Sequence, residues 1–439
     1  MKILGYRALI LAGFVAAALL GAYSSSYFQD GPEPASQRWL HEPALTPDRV
    51  ILTWAGDPAT TQSVTWRTST QVTESFAEIA LSEDGPAFQE LAQHVPAATS
   101  LFVSDLGEAN YHSASFTGLI PGTMYVYRVG DGTNWSEWNQ FTTASNQPEP
   151  LTFIYVGDAQ NDVFSLWSRV IRTGYSKAPD ARFILHAGDL INRANLDAEW
   201  GDWFRAAGWI NTTMPSVPAP GNHEYAAEQE GGVRQLSRHW QPQFTLPRNG
   251  LAGLEESSYY LDIQGVRIVA LNSNEKREEQ ARWLDELLSS NPNRWTICAF
   301  HHPIYSAAES RDNEELRELW QPVLDKYKVD LVLQGHDHTY ARSNLLTGVN
   351  VQAGEAGTVY VVSVSGPKMY NLKPRDEQWW ARAAEDTQLY QVIRVDGDRL
   401  SYESHTARGH VYDAFELHKR DGAPNELIDR PPATPEHRR

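Results

Sequence analysis

Phe183-Ile-Leu-His-Ala-Gly-Asp189 decides how this chain reads. A run of apolar residues without polar alternation marks a strand buried on both faces, and here it ends on a glycine followed by an acid. The arrangement recurs. Phe153-Ile-Tyr-Val-Gly157 leads into Asp158, and Val217-Pro-Ala-Pro-Gly221 leads into Asn222, His223 and Glu224. Ile297-Cys-Ala-Phe300 leads into His301 and His302, and Leu331-Val-Leu-Gln-Gly335 leads into His336, Asp337 and His338. Ligands in open α/β sheets bind beyond the carboxyl ends of the strands, so the five loops are expected to converge. A glycine stands directly before four of these five groups, permitting sharp turns and close backbone approach.

Outward from these strands, the pattern from Leu151 onward alternates strands with helical spacing, as over Val163–Thr173, Leu196–Ala207 and Glu275–Ser290. A last hairpin turns at Asp396-Gly397. This is a layered α/β or α+β domain, expected over 150–420. Before the linker Gln147-Pro-Glu-Pro150 the rhythm differs. Short alternating runs such as Gln62–Arg67 and Thr123–Val129 lie between turns such as Pro121-Gly122 and Asp131-Gly132. That spacing predicts an all-β sandwich of immunoglobulin or fibronectin type over 44–146. The proline-bearing segment 421–439 is expected to be disordered.

Composition narrows the chemistry. The chain has 439 residues, with 37 Lys+Arg against 55 Asp+Glu and a net charge of −18. That balance argues against nucleic acid as a partner. Its single cysteine, Cys298, excludes an intrachain disulfide and any multi-cysteine metal site. A metal must therefore be held by imidazole and oxygen donors. Lys2 and Arg7 precede the apolar run Ala8–Ala22, so residues 1–30 read as a signal peptide or signal-anchor. The expected location is extracytoplasmic (periplasmic or secreted), with possible membrane attachment through that segment. Oligomeric state is left open.

The five-block pattern Gly157-Asp158, Gly188-Asp189, Gly221-Asn222-His223-Glu224, His301 and Gly335-His336-Asp337-His338 resembles the calcineurin-like metallophosphoesterase superfamily. With the sandwich in front, the chain is most similar to two-domain purple acid phosphatases. The resemblance implies a four-layer α/β (α+β) metallophosphoesterase sandwich behind a fibronectin type III-like domain. It implies two metal ions (Fe, Mn or Zn) that generate a bound hydroxide and hydrolyse small phosphomonoesters. Asp189 would bridge them, with Asp158 and His338 on one ion and Asn222, His301 and His336 on the other. His223 would contact the phosphate or the nucleophile, oriented by a carboxylate such as Glu224. A phosphodiesterase or nucleotide pyrophosphatase on the same scaffold, or a binding module with a vestigial site, are the alternatives.

Three positions depart from the family pattern. The tyrosine that colours purple acid phosphatases is Asn192 here, which leaves amide ligation or loop capping as its readings. The histidines expected after His301 are missing from Ser306–Arg311, so Arg311 or Glu309 is the candidate substitute. Gln160 stands where glycine is common, and a polar contact at the rim is its expected role. His302 is expected to pack facing away from His301.

Overall fold

The computed structural model describes residues 39–227, 229, 231–350 and 355–438. The signal segment expected over 1–30 lies outside them. The described residues from 42 onward form one compact unit.

Two antiparallel four-stranded sheets build the N-terminal sandwich. One runs β1 (Asp48–Thr53), β2 (Thr61–Thr68), β6 (Glu108–Thr117), β5 (Ala98–Val103). The other runs β4 (Gln93–Pro96), β3 (Phe76–Leu81), β7 (Met124–Gly130), β8 (Asn139–Thr142). Alternate side chains meet between them in a core that includes Leu52, Val64, Trp66, Ile79, Phe116, Tyr127 and Phe141. Strands β3 to β5 carry weaker alternation and were not anticipated from sequence. Ile51 and Trp54 belong instead to the core of the following domain, so β1 joins the two parts.

The second domain packs two mixed sheets. The first has the order β11 (Ser216–Ala219), β10 (Ile184–Ala187), β9 (Leu151–Val156), β22 (Leu389–Asp396), β23 (Arg399–Thr406), β24 (Val411–Arg420), β25 (Ala423–Asp429). Strands β9, β10 and β11 are parallel; β22 to β25 form an antiparallel meander. The second sheet has the order β14 (Tyr259–Ile263), β15 (Val266–Ala270), β16 (Trp295–Ala299), β17 (Leu331–Gln334), β20 (Thr358–Val362), β18 (Tyr340–Thr347), β19 (Val349–Asn350). Strand β21 (Trp380–Ala384) pairs with β18, and β12 (Tyr225–Ala227) with β13 (Arg234–Leu236) forms a separate hairpin.

One apolar core holds Ile154 and Val392 of the first sheet together with Ile297, Leu333 and Val361 of the second. The helix Ser168–Lys177 and the helix Asp197–Ala207 add Val170, Ile171, Trp200 and Trp203 to it. On the far face of the second sheet, Cys298 and Val332 pack with Leu284 and Trp320 from the helices Arg277–Ser289 and Glu314–Tyr327. The four-layer architecture is thereby realised. Cys298 is buried, and burial pushes its thiol well above the usual range, consistent with inert packing.

The disorder expected of 421–439 is corrected by the structure. Ala423–Asp429 adds β25 to the edge of β24, and Asn425 Nδ2 donates to Asp330 Oδ1 at 2.6 Å. Farther on, His437 N donates to the Tyr412 hydroxyl at 3.0 Å. An exposed ladder of N–H and C=O groups on β24 is a strong template for one more strand. Pro424 sits at the start of that edge strand, where a missing N–H is tolerated.

Among the described residues, no helix is long and apolar enough to cross a membrane.

Candidate metal centre

Strands β9, β10, β11, β16 and β17 deliver Asp158, Asp189, Asn222, His301 and His336–His338 from their carboxyl ends. Glycine is needed at three of these turns. A Cβ on Gly188 would lie 2.7 Å from His301 Nδ1, one on Gly221 2.2 Å from Asp189 Oδ1, and one on Gly335 2.4 Å from Asp158 Oδ2. The candidate donors themselves sit on left-handed backbone: Asp158, Asp189, His336 and His338 have φ of 51°, 53°, 76° and 50°. Left-handed backbone outside glycine costs on the order of 1–3 kcal/mol per residue and persists where the surroundings over-determine it.

The donors form two sets sharing one carboxylate. In the first, Asp158, Asp189 and His338 are all buried, with ligand atoms within 4.8 Å of one another. The His336 N–H donates to both Asp158 oxygens, at 2.9 and 2.8 Å. His338 Nδ1–H donates to the Lys368 carbonyl at 3.0 Å, which leaves the Nε2 lone pair facing the set. In the second, His301 Nε2 is 3.1 Å from Asn222 Oδ1, and His336 Nδ1 is 2.9 Å from the same oxygen. His301 Nδ1–H donates to the Ala187 carbonyl at 2.9 Å, again leaving its other nitrogen for a ligand. Asp189 Oδ2 is 3.2 Å from His301 Nε2, while Oδ1 accepts the His223 backbone N–H at 2.8 Å.

The electrostatics ask for cations. Burial pushes Asp158 well above the usual carboxylate range. Burial disfavours a charged His301, yet Asp189 and Asp158 outweigh it and raise this imidazole to about 9. Burial lowers His338 to about 3, keeping it neutral and able to ligate. The buried carboxylates of Asp158 and Asp189 thus favour positive charge beside them. The donors are of the oxygen and imidazole-nitrogen kind that suits a metal ion.

Several neighbouring groups depart from the sequence expectation. Glu224 does not orient His223: its buried carboxylate accepts the N–H groups of Gly221 (2.6 Å), Asp189 (2.8 Å) and Leu190 (2.8 Å), tying two ligand loops together. Burial and the adjacent Asp189 push this carboxyl up to about 7, against those donors. His223 instead donates Nδ1–H to the Asn192 carbonyl at 2.5 Å. Asn192 also gives its N–H to Glu199 Oε2 at 2.8 Å, so its backbone is the part that positions a neighbour. Arg311 Nη1 donates to the His336 carbonyl at 2.8 Å, and its guanidinium lies 4.6 Å from the Tyr370 ring centroid. Glu309 is exposed. His302 does not face away: its ring lies 4.4 Å from that of His336, and Nδ1 is 2.8 Å from Ser273 Oγ. Gln160 is fully buried against the donors, not at a rim. The tight Gly-ligand loops were visible as motifs; contacts made through backbone carbonyls, such as Asn192 to His223, leave no mark on residue type.

Comparison with known proteins agrees with this geometry. A family model for the purple acid phosphatase N-terminal domain matches residues 47–143, and one for the calcineurin-like phosphoesterases matches residues 101–340. The chain belongs to the calcineurin-like phosphoesterase family. Within it, the N-terminal domain marks the purple acid phosphatase branch. An uncharacterized Mycobacterium tuberculosis protein is 29% identical over 283 residues, 55% of this chain and 52% of that protein. The chain thus spans about half the length of that relative. Acid phosphatase type 7 of Mus musculus is 28% identical over 342 residues, covering 70% and 73% of the two chains. A purple acid phosphatase from yellow lupin seeds superposes with a TM-score of 0.72 over 85% of this chain and 74% of its own, at 21% identity. At that identity the superposition speaks for the fold.

Proposed function

We propose that the chain is an exported phosphatase that hydrolyses small phosphomonoesters at a two-metal centre. The observation that carries this reading is the position of Asp189, whose carboxylate borders both donor sets. Asp158 and His338 would hold one ion and Asn222, His301 and His336 the other. Two divalent ions there would stabilise charge on the entering and leaving oxygens and acidify water. The protein's own groups act around them. His223 is locked by the Asn192 carbonyl with Nε2 left free, suited to hydrogen-bond a phosphoryl oxygen or exchange a proton with it. Arg311 spends one N–H on the His336 carbonyl and is partly exposed, which leaves other guanidinium donors for a phosphate oxygen. The sandwich, read as fibronectin type III-like, carries no catalytic group in this proposal. The substrates are small phosphoesters, and the N-terminal segment serves as a signal peptide or as a signal-anchor.

The identity of the ions is chosen by position 192. Without a phenolate there, iron-loaded protein is expected to lack a strong visible charge-transfer band, and Mn, Fe(II) or Zn are the candidates. Tyr225 and Tyr340 do not replace it, because their hydroxyls donate to Glu275 (2.6 Å) and Asp413 (2.7 Å). An absorption spectrum checks this; a strong band would reveal a phenolate ligand and refute the assignment.

A second reading, a phosphodiesterase, draws on the absence of histidine from Ser306–Arg311. Turnover of an aryl phosphomonoester against the matching diester by metal-loaded protein separates the two. A ratio favouring the diester overturns the monoesterase reading, and no hydrolysis of either between pH 4 and 9 overturns both.

A further inference from the structure

We propose that Gln160 is a ligand of the Asp158/Asp189/His338 position, binding through its amide oxygen and filling the place that Asn192 leaves without a phenolate. The inference rests on the two-metal reading above.

Gln160 follows Asp158 in the loop after β9, and its backbone N–H is fixed by the Asp189 carbonyl at 3.1 Å. Its side chain is fully buried. Nε2 lies 2.8 Å from His338 Nε2 and 3.3 Å from Asp189 Oδ2, so the amide points between two of the three donors of that set. The other amide atom, Oε1, is buried and has no hydrogen-bond partner. A buried acceptor left unpaired is unfavourable, and native structures rarely keep one without a purpose.

The pairing shows which species belongs there. His338 Nδ1 already donates to Lys368, so its Nε2 is a lone pair, and Asp189 Oδ2 is an anion. Both attract whatever is positive, and the amide N–H group meets that demand here. A cation among the same atoms repels the NH₂ and attracts the amide oxygen. The terminal torsion of glutamine is broad and two-fold, so a half-turn exchanges Oε1 for Nε2 without moving the backbone. The orphaned oxygen then becomes a fourth donor.

Asn192 has its backbone held on both sides, by Glu199 and by His223. A neutral amide in place of a phenolate leaves the set one negative charge poorer, which favours a divalent over a trivalent ion.

The test uses the full chain, freed of metal and titrated with Mn(II) by calorimetry, with bound metal counted by mass spectrometry. The wild type, Gln160→Leu, Gln160→Glu and Asn222→Ala are compared. Two ions are expected for the wild type. Gln160→Leu should weaken one by about tenfold or more and spare the other, a size comparable with losses around metal sites. The near-isosteric Gln160→Glu should restore or tighten that ion, and Asn222→Ala should weaken the other one. Two ions bound with unchanged affinity in both Gln160 variants would overturn this inference alone. A wild type that binds fewer than two ions would overturn the two-metal reading and this inference with it.

Discussion

Two clusters of buried charge in this protein solve opposite problems. At the seam between sandwich and catalytic domain, Arg49 grips Asp197 with Nη1 to Oδ1 at 2.8 Å and Nη2 to Oδ2 at 2.7 Å. Arg67 adds a contact to Asp197 at 3.2 Å and pairs with Asp48 at 2.7 Å. Tyr111 receives a further Arg49 donor, and the Asp197 N–H goes to Asp105. Each arginine of this cluster is thus paired with a carboxylate. At the candidate metal centre, Asp158, Asp189 and Glu224 are buried, and among the described residues no arginine or lysine pairs with them in this way; four residues there hold left-handed backbone. The difference separates a cluster whose charges pair with one another from one whose buried carboxylates, in the proposed function, would be met by cations.

The largest effect should come from the deficient cluster. Asp189→Asn removes the shared charge, so a second ion should no longer bind and turnover of an aryl phosphate should fall by about 10³-fold or more, the equivalent of several kcal/mol. Stability should change little. Equal activity in the variant would break the contrast drawn here.

Asp197→Asn tests the paired cluster and should do the reverse. It strands Arg49 in a buried position, where losing a partner costs about 3–5 kcal/mol. The denaturant midpoint should drop, while metal binding in the folded protein stays as it was. The pH dependence has a definite sign. Burial would raise the Asp197 carboxyl, but Arg49, His239 and Arg67 hold it well below the usual range. A depressed carboxyl contributes stability that is complete above its unfolded value, near about 4, and is lost as pH falls toward the folded one. Wild-type stability should therefore fall more steeply than that of Asp197→Asn below about pH 4, read from denaturation curves at stepped pH.

The two clusters were also unequally legible. Strand-end glycines followed by Asp, Asn or His are local in sequence, and the steric need for them is local too, so the metal donors could be read residue by residue. Gln160 was visible as an oddity, yet its burial depends on His338, 178 positions away. Nothing local announces the seam. Arg49 and Asp197 are 148 residues apart, and Arg49 reaches across from a β-bulge with φ of 50°. The segment 421–439 misled for a related reason. Its composition is that of a disordered tail, and its structure comes from the open edge of β24, which the segment itself does not encode.

The smallest expected effect lies between the clusters in character. Arg311 is a cation at the rim of the deficient site, partnered by a carbonyl and an aromatic face, and its guanidinium is 4.0 Å from the nearer oxygen of buried Asp337. Asp337 Oδ2 accepts from Ser306 Oγ and the Ala307 N–H, whereas Oδ1, the oxygen nearest Arg311, accepts no hydrogen bond. The remaining guanidinium donors of Arg311 would be available to a phosphate oxygen. Arg311→Lys keeps the charge and loses the planar fork that matches a phosphate edge. KM for an aryl phosphate should then rise by about tenfold or less, with kcat within a few-fold, and inhibition by inorganic phosphate should weaken in parallel. A fall in kcat with KM unchanged would assign Arg311 to the transition state. Arg311 would then belong with the groups that answer charge developing during the reaction, and the boundary between the two kinds of cluster would have to include it.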